Sequence, residues 1–251
     1  MKRVGRAVLV PSLVILAAGT SYSAPTAPPD HGIALVELFT SEGCSSCPPA
    51  DALLEKLATD AATSGRRVYC LSFHVDYWDH LGWKDRFSSA AFTERQTEYA
   101  KSLGATSLYT PEMVVNGSDE FVGSDKNAAE SAIRDALSRA EATQLRLSAT
   151  ANGHDVSAQC KVASVPAGAV LNVAWVDAHA VSSPNRGEND GRTLHHANVV
   201  RDLRSVALKP GFDGRIGLRR PDVTDGAVIA WVQAPGSGRV LGAGSVRITG
   251  H

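Results

Sequence analysis

The chain has 251 residues, 43% of them hydrophobic, and its 25 basic and 26 acidic residues leave a formal net charge of −1. A chain of this length can fold as two domains, each burying its own core. The balanced charge excludes the strongly basic footprint of a nucleic-acid or anionic-membrane binder.

Met1 to Ala24 has the layout of a secretory signal, with Lys2, Arg3 and Arg6 ahead of the apolar run Ala7 to Ala18 and small residues at the cleavage region. The apolar run is too short to span a bilayer. The expected product is a soluble, exported protein, periplasmic or secreted, in an oxidising compartment where cysteine pairs persist or cycle. Residues 25–31 form a Pro-rich lead-in, expected to be disordered. Ile33 to Phe39 reads as a first strand. It leads into Cys44-Ser45-Ser46-Cys47 and then a helix with Ala50, Leu53, Leu54 and Leu57 on one face.

Arg67 to Phe73 is a second strand, mostly apolar as befits one covered on both faces. It runs into the polar and aromatic stretch His74 to Asp79. Asp85 to Leu103 reads as a helix. Met113 to Val115 and Glu120 to Val122 follow as strands joined at Asn116-Gly117, a hairpin signal. A last helix spans Asp125 to Ala140, capped by Ser124 or Asp125. Past Glu141 come short β-branched runs at 144–151, 154–162, 168–177, 213–218, 226–233 and 239–249, the pattern of a β-sandwich. Between them Ser182 to Arg201 is dense in Arg, Asn and His and reads as a binding loop. The expected organisation is therefore a signal peptide (1–24), the lead-in (25–31), an α/β domain with a helical insertion (32–142) and an all-β sandwich (143–251).

A C-x-x-C between a strand and a helix puts the first sulfur near the helix N-terminus, where unpaired N–H groups and the helix dipole favour thiolate. Cys44, expected to be the more exposed sulfur, is the candidate nucleophile, and Cys47 the resolving thiol. Ser45 and Ser46 are placed to donate hydrogen bonds to a thiolate and so lower its pKa. The same two sulfurs, helped by His195 or His196, could instead hold a soft ion such as Cu(I). Zinc would need a second ligand pair that the sequence does not supply. A purely structural bridge across so short a loop would stabilise little. His74 and Asp76 sit past the C-terminal end of a strand, where ligands of open α/β sheets bind. His74 there would favour a Cys44 thiolate, whereas Asp76 or Glu42 would oppose it. Equally, His74, Asp76 and Trp78 could serve only to tie down a loop under the inserted helix. Cys70 and Cys160 fall in separate expected cores, too far apart to bridge.

Four stretches taken together, Glu37 to Asp51, Phe73 to Phe87, Tyr109 to Gly117 and Arg186 to Arg201, resemble the bacterial secreted family called domain of unknown function 1223, across nearly all of the chain after the signal. The order β-α-β-α-β-β-α with its C-x-x-C and Thr-Pro also resembles the thioredoxin fold. That resemblance implies a thioredoxin-like domain over 32–142, with Thr110-Pro111 cis and lying against the cysteine pair. Pro111 would then withhold an N–H that competes for the sulfurs. Tyr109 and Thr110 would support an extended substrate segment. The chain departs from ordinary thioredoxins in Gly43 and Ser45-Ser46 around the cysteines. The position of their buried strand acid falls on Leu38, one residue from Glu37 and so on the opposite face.

The family name carries no reaction, so function rests on the residues. They point to an exported thiol-disulfide oxidoreductase that needs no cofactor and acts on protein or small-molecule thiols and disulfides. The 182–201 loop would dock beside Cys44, with Arg186, Arg192 or Arg201 tuning its pKa, the loop's asparagines bonding backbone groups and His196 supporting the site. Alternatively, the arginines only fasten the two domains together away from the sulfurs. The alternatives are a Cu(I)-binding protein or metallochaperone using the same cysteines, and a thioredoxin-like adaptor without turnover.

Overall fold

The computed structural model describes residue 1 and residues 20–23, 32–222, 225–236 and 238–249. Apart from Met1 and 20–23, the expected signal segment lies outside the described residues, as does the lead-in 25–31. The strand Thr20–Ser23 (β1), which falls inside that expected signal, pairs antiparallel with Leu145–Asn152 (β6).

The first half runs Ala34–Thr40 (β2), Pro48–Ser64 (α1), Val68–His74 (β3), Ala90–Leu103 (α2), Glu112–Val115 (β4), Asp119–Val122 (β5) and Lys126–Ser138 (α3). Every residue of β2 is buried, which explains its unbroken apolar character apart from Glu37 and Thr40. Asp125 caps α3 by accepting the Ala128 N–H at 3.0 Å. The helix expected from Asp85 begins only at Ala90. Ser89 is its cap, and residues just before it turn back on Asp85, whose side chain accepts the Phe87 N–H at 2.8 Å.

The second half is Asp155–Val162 (β7), Val170–Ser182 (β8), Leu194–Ala207 (β9), Phe212–Arg219 (β10), Gly226–Gln233 (β11) and Val240–Ile248 (β12), following β6. Here the structure corrects two readings. Leu194–Ala207 is a fourteen-residue strand, so the polar connection spans only 183–193. Its polar residues are tolerated because β9 pairs along its whole length with β8 and needs no apolar alternation to be held there.

Residues 32–142 and 143–251 also do not each close their own sheet. The strands β12-β11-β8-β9-β3-β2-β4-β5 form one mixed eight-stranded sheet, joined across the halves where Ser72 of β3 pairs in parallel with Val199 of β9. The strands β1-β6-β7-β10 form a second, antiparallel sheet.

Alternation along the large sheet sorts its side chains into layers. Leu35, Phe39, Phe73, Ala174, Val176 and Trp231 face α2 and pack with Phe92 and Tyr99. On the opposite face Val36, Leu38, Cys70 and Met113 pack under α1 and α3, while Val173, Trp175 and Val228 pack against the smaller sheet. A buried polar network crosses the seam on the α2 face. Arg95 Nε donates to Glu37 Oε2 at 2.6 Å, Tyr99 OH donates to Glu37, and Gln233 Nε2 donates to Tyr99 OH at 2.9 Å. Asn172 Nδ2 of β8 reaches Gln233 Oε1 at 2.7 Å. Glu37 is thus half of an interior ion pair on the face away from the cysteines. Removing either partner would strand a buried charge at a cost of about 3–5 kcal/mol. No helix among the described residues is long and apolar enough to cross a membrane.

Candidate redox site

β2 ends at Thr40, and the chain turns through Ser41, Glu42 and Gly43 into the cysteines. Ser41 holds that turn, its Oγ accepting the Gly43 N–H at 3.1 Å and its carbonyl the Cys44 N–H at 3.2 Å. Cys44 and Cys47 are joined by a disulfide, while Cys70 and Cys160 are free and buried. Cys47 is the N-cap of α1, and its carbonyl accepts the N–H of both Ala50 and Asp51. Pro48 and Pro49 carry no N–H. The first turn of α1 therefore offers a thiolate few free donors, which leaves the side chains of the C-x-x-C turn as the local source. Ser46 Oγ lies 3.3 Å from Cys44 Sγ.

Neither cysteine is the exposed sulfur that the sequence suggested for Cys44: both are 0% accessible. The 183–193 connection bonds to the turn that carries them. Asn189, itself buried, donates from Nδ2 to the carbonyls of Glu42 at 2.8 Å and Cys44 at 2.9 Å. Glu188 Oε2 accepts the Ser45 N–H at 3.0 Å, and bonds from the Ser45 side chain and backbone hold the Glu188 carboxyl below its usual range. Gly187, at φ 79°, brings the loop down onto the 78–83 turn, where an added Cβ would sit 3.2 Å from the Trp83 Cβ. The loop therefore docks on the cysteine turn through an amide and an acid, and not through its arginines. Arg192 Nη1 donates to Asn189 Oδ1 at 2.8 Å and props the amide. Arg201 is paired with Asp177 and Asp222 and lies over the Phe87 ring. Arg186 is exposed.

The Thr110-Pro111 peptide is cis. Pro111 is brought to the start of α1 by Gly123, whose missing Cβ would meet Leu38 Cδ1 at 2.7 Å, Pro111 Cβ at 3.1 Å and Ala50 Cβ at 3.2 Å. Thr110 Oγ1 accepts the Trp78 Nε1 proton at 2.8 Å, and Tyr109 OH donates to Glu120 at 2.6 Å. Asp76 is turned elsewhere, bonded to Thr93 of α2 at 2.6 Å, and anchors that helix.

His74 is fully buried and holds Asp85 at 2.6 Å. The same Asp85 oxygen accepts the Glu42 N–H at 2.9 Å. It thus braces the cysteine turn instead of facing Cys44. His196, from β9, stacks edge-on to His74 with ring centres 4.8 Å apart and lies between Glu42 and Asp51. Two participants escaped the sequence reading: Trp83 Nε1 donates to Glu42 Oε2 at 2.6 Å, and Asp51 lies buried on α1. An acid four residues beyond Cys47, on the same face as Ala50 and Leu54, was the available signal for Asp51. Among the described residues no group of three or more His, Cys, Asp or Glu side chains is arranged to hold a metal ion.

The family model for a protein of unknown function, DUF1223, matches residues 35–233, and the chain belongs to that family. It is similar to a crystal structure of a protein from Agrobacterium tumefaciens, with 29% sequence identity and a TM-score of 0.63, over 88% of this chain and 96% of that one. No match was found among curated proteins.

Proposed function

We propose that this member of the DUF1223 family is an exported thiol-disulfide oxidoreductase whose redox centre is the Cys44–Cys47 pair. The observation that carries the reading is the disulfide closed between Cys44 and Cys47 at the head of α1, while the two other cysteines stay apart as free thiols. A bridge over so short a loop adds little stability, so its value lies in being opened and closed. Burial pushes the thiols of Cys70 and Cys160 up to about 12, which makes them inert at neutral pH.

Several features support a thioredoxin-like reading of residues 32–142. β2 and β3 are parallel across α1, β4 and β5 form an antiparallel hairpin on the other side of β2, and α3 follows. A cis proline starts that hairpin beside α1. In the reductive direction, Cys44 as thiolate, accepting a hydrogen bond from Ser46, attacks a substrate disulfide. The substrate S–S bond breaks, releasing one substrate sulfur as thiolate and leaving the other in a mixed disulfide with Cys44. Cys47 then attacks Cys44 Sγ, restoring the internal bridge and releasing the substrate thiolate. The oxidative direction is the reverse, and protein or small-molecule thiols and disulfides are the partners. The basic, then apolar, N-terminal sequence supports export to a compartment where such chemistry operates.

The test is equilibration of the purified protein in glutathione redox buffers, with trapping and peptide mapping. The expected result is reversible opening of Cys44–Cys47 alone, at a measurable potential, with catalysed reduction or refolding of a disulfide substrate. A bridge that never exchanges would refute the reading. Stoichiometric Cu(I) retention by reduced protein without exchange would favour the metal-binding alternative.

A further inference from the structure

Behind Cys47, on the face of α1 turned towards the sheet, lies a closed set of polar groups that the chemistry at Cys44 does not use. Asp51 follows Cys47 by one helical turn, which stacks the two side chains on one face about 5–6 Å apart at Cβ. Asp51 is only 4% exposed. His196 lies across from it, with Nδ1 3.8 Å from Asp51 Oδ2 and Nε2 3.9 Å from Glu42 Oε1. The His74 ring packs against His196, and Asp85 stands behind His74. The groups facing Asp51 are thus Cys47 on its own helix, Glu42 from the preceding turn, His74 of β3 with Asp85 beyond it, and His196 of β9.

What sets this cluster apart is how much of it is unspent. Glu42 Oε1, Asp51 Oδ1, His74 Nε2 and His196 Nδ1 are buried without a hydrogen-bond partner, and so are Thr40 Oγ1 and Ser72 Oγ. Strand register sets Thr40 opposite His74, and Ser72 two residues earlier points to the same side. Buried polar atoms are ordinarily satisfied, and a concentration of orphans marks bound water or a working acid-base site. Cys47 needs such a site. Burial raises a thiol's pKa, as it does for Cys70 and Cys160, and a protonated Cys47 cannot attack.

We propose that Asp51, positioned by His196, takes the proton of Cys47 when Cys47 resolves a mixed disulfide at Cys44. The inference rests on the redox reading above. The Cys47 thiol gives its proton to the Asp51 carboxylate, the thiolate forms a bond to Cys44 Sγ, and the bond between Cys44 and the substrate sulfur breaks. The electron pair leaves with the substrate thiolate. In the reverse direction Asp51 returns the proton to Cys47 as the bridge opens.

The probe is the aromatic disulfide 5,5′-dithiobis(2-nitrobenzoic acid), mixed with the reduced full chain in a stopped-flow instrument. The first thionitrobenzoate released reports attack by Cys44, and the second reports closure by Cys47. Asp51→Asn is expected to leave the first phase unchanged, to slow the second about 10²-fold at pH 7 and to move its pH profile to the alkaline side. Asp51→Glu should recover part of the rate, and His196→Gln should shift the profile of the second phase alone. An unchanged second phase and profile in folded Asp51→Asn would overturn the relay and leave the redox reading standing. If that variant does not fold, an unchanged profile in His196→Gln overturns the relay equally. No release at Cys44 in the unmutated protein would overturn both.

Discussion

His74 Nδ1 and Asp85 Oδ2 meet at 2.6 Å with neither side chain reaching solvent, and the same oxygen accepts the Glu42 N–H. One carboxylate thus ties the end of β3 to the turn that carries Cys44. Burial opposes the imidazolium, but Asp85, with Asp51 and Glu42, raises His74 above its ordinary 6.5. Burial likewise opposes the carboxylate, but His74 and the N–H groups of Glu42 and Phe87 hold Asp85 below its ordinary 3.8. The His74 contribution to stability is full below 6.5 and is lost as pH rises through its raised folded value. The Asp85 contribution is present above 3.8 and is lost as pH falls through its lowered folded value. The pair therefore contributes most between 3.8 and 6.5 and less on both sides. Asp85→Asn should lower stability by roughly 3 kcal/mol in urea unfolding at pH 5.5 and move the NMR titration of His74 downward. An unmoved titration would contradict the coupling.

Glu112 works in the opposite sense. It follows Pro111, is almost wholly buried and accepts a hydrogen bond from Gln96 Nε2 at 2.6 Å. Burial pushes its carboxyl up to about 7, with Glu120 adding to the rise and Gln96 working against it. The folded state then holds the proton more tightly than the unfolded one, whose ordinary value is 4.5, and stability falls as pH rises from there to about 7. Glu112→Gln keeps an acceptor for Gln96 and removes that fall. It should stabilise the protein at pH 8 by about 1–3 kcal/mol relative to its effect at pH 4.5. Equal effects at the two pH values would show that Glu112 does not titrate between them.

Much of this was readable in advance wherever one local rule governed the outcome. The course of β2 to within one residue at each end, the hairpin at Asn116-Gly117 and Asp125 as one of two candidate caps follow from periodicity and turn chemistry alone. The seam was not readable. That β9 joins β3 through Ser72 and Val199 is a contact across 127 positions, and nothing local in His195, His196 or Arg201 distinguishes a strand gripped by β8 from a polar loop. The site divides in the same way. Ser46 beside Cys44 comes from the C-x-x-C motif itself and Pro111 beside α1 from the resemblance to the thioredoxin fold, whereas Asn189, 145 residues from Cys44, reaches the site only by tertiary packing. The loop's approach was foreseen, with asparagines as well as arginines offered for the contact, and the docked surface selects the amide because it presents backbone carbonyls that an amide N–H satisfies.

Ser46 is the nearest side-chain donor to Cys44, at 3.3 Å, and the double proline has already removed two donors from the helix start. In the reduced protein its hydroxyl should therefore carry much of the local stabilisation of the thiolate. A hydrogen bond to a charged group contributes about 1.5–3 kcal/mol, reduced here because Ser46 is exposed. Ser46→Ala should raise the Cys44 pKa by about one unit and slow alkylation at pH 7 accordingly. The pH dependence of iodoacetamide labelling measures both, and an unchanged profile would move the stabilisation to the backbone.

Access to the disulfide follows from Asn189. Both sulfurs are shut from solvent, and the 183–193 loop is bonded to the turn that carries them. The loop is held to the cysteine turn by two bonds from Asn189 Nδ2 and one to Glu188, with Arg192 steadying the amide. Asn189→Ala deletes the pair of bonds, each with a net contribution of about 0.5–1.5 kcal/mol, and so eases opening by about 1–3 kcal/mol. If opening precedes exchange, reduction by dithiothreitol should accelerate by roughly 5- to 100-fold, since each 1.4 kcal/mol is a factor of ten. The gain should saturate once the loop is open most of the time, at which point the intrinsic exchange rate of the sulfurs takes over. Glu188→Gln keeps an acceptor for the Ser45 N–H and should alter the rate far less. Equal reduction rates for the Asn189 variant and the unmutated protein would show that thiols reach the bridge by a route the loop does not govern.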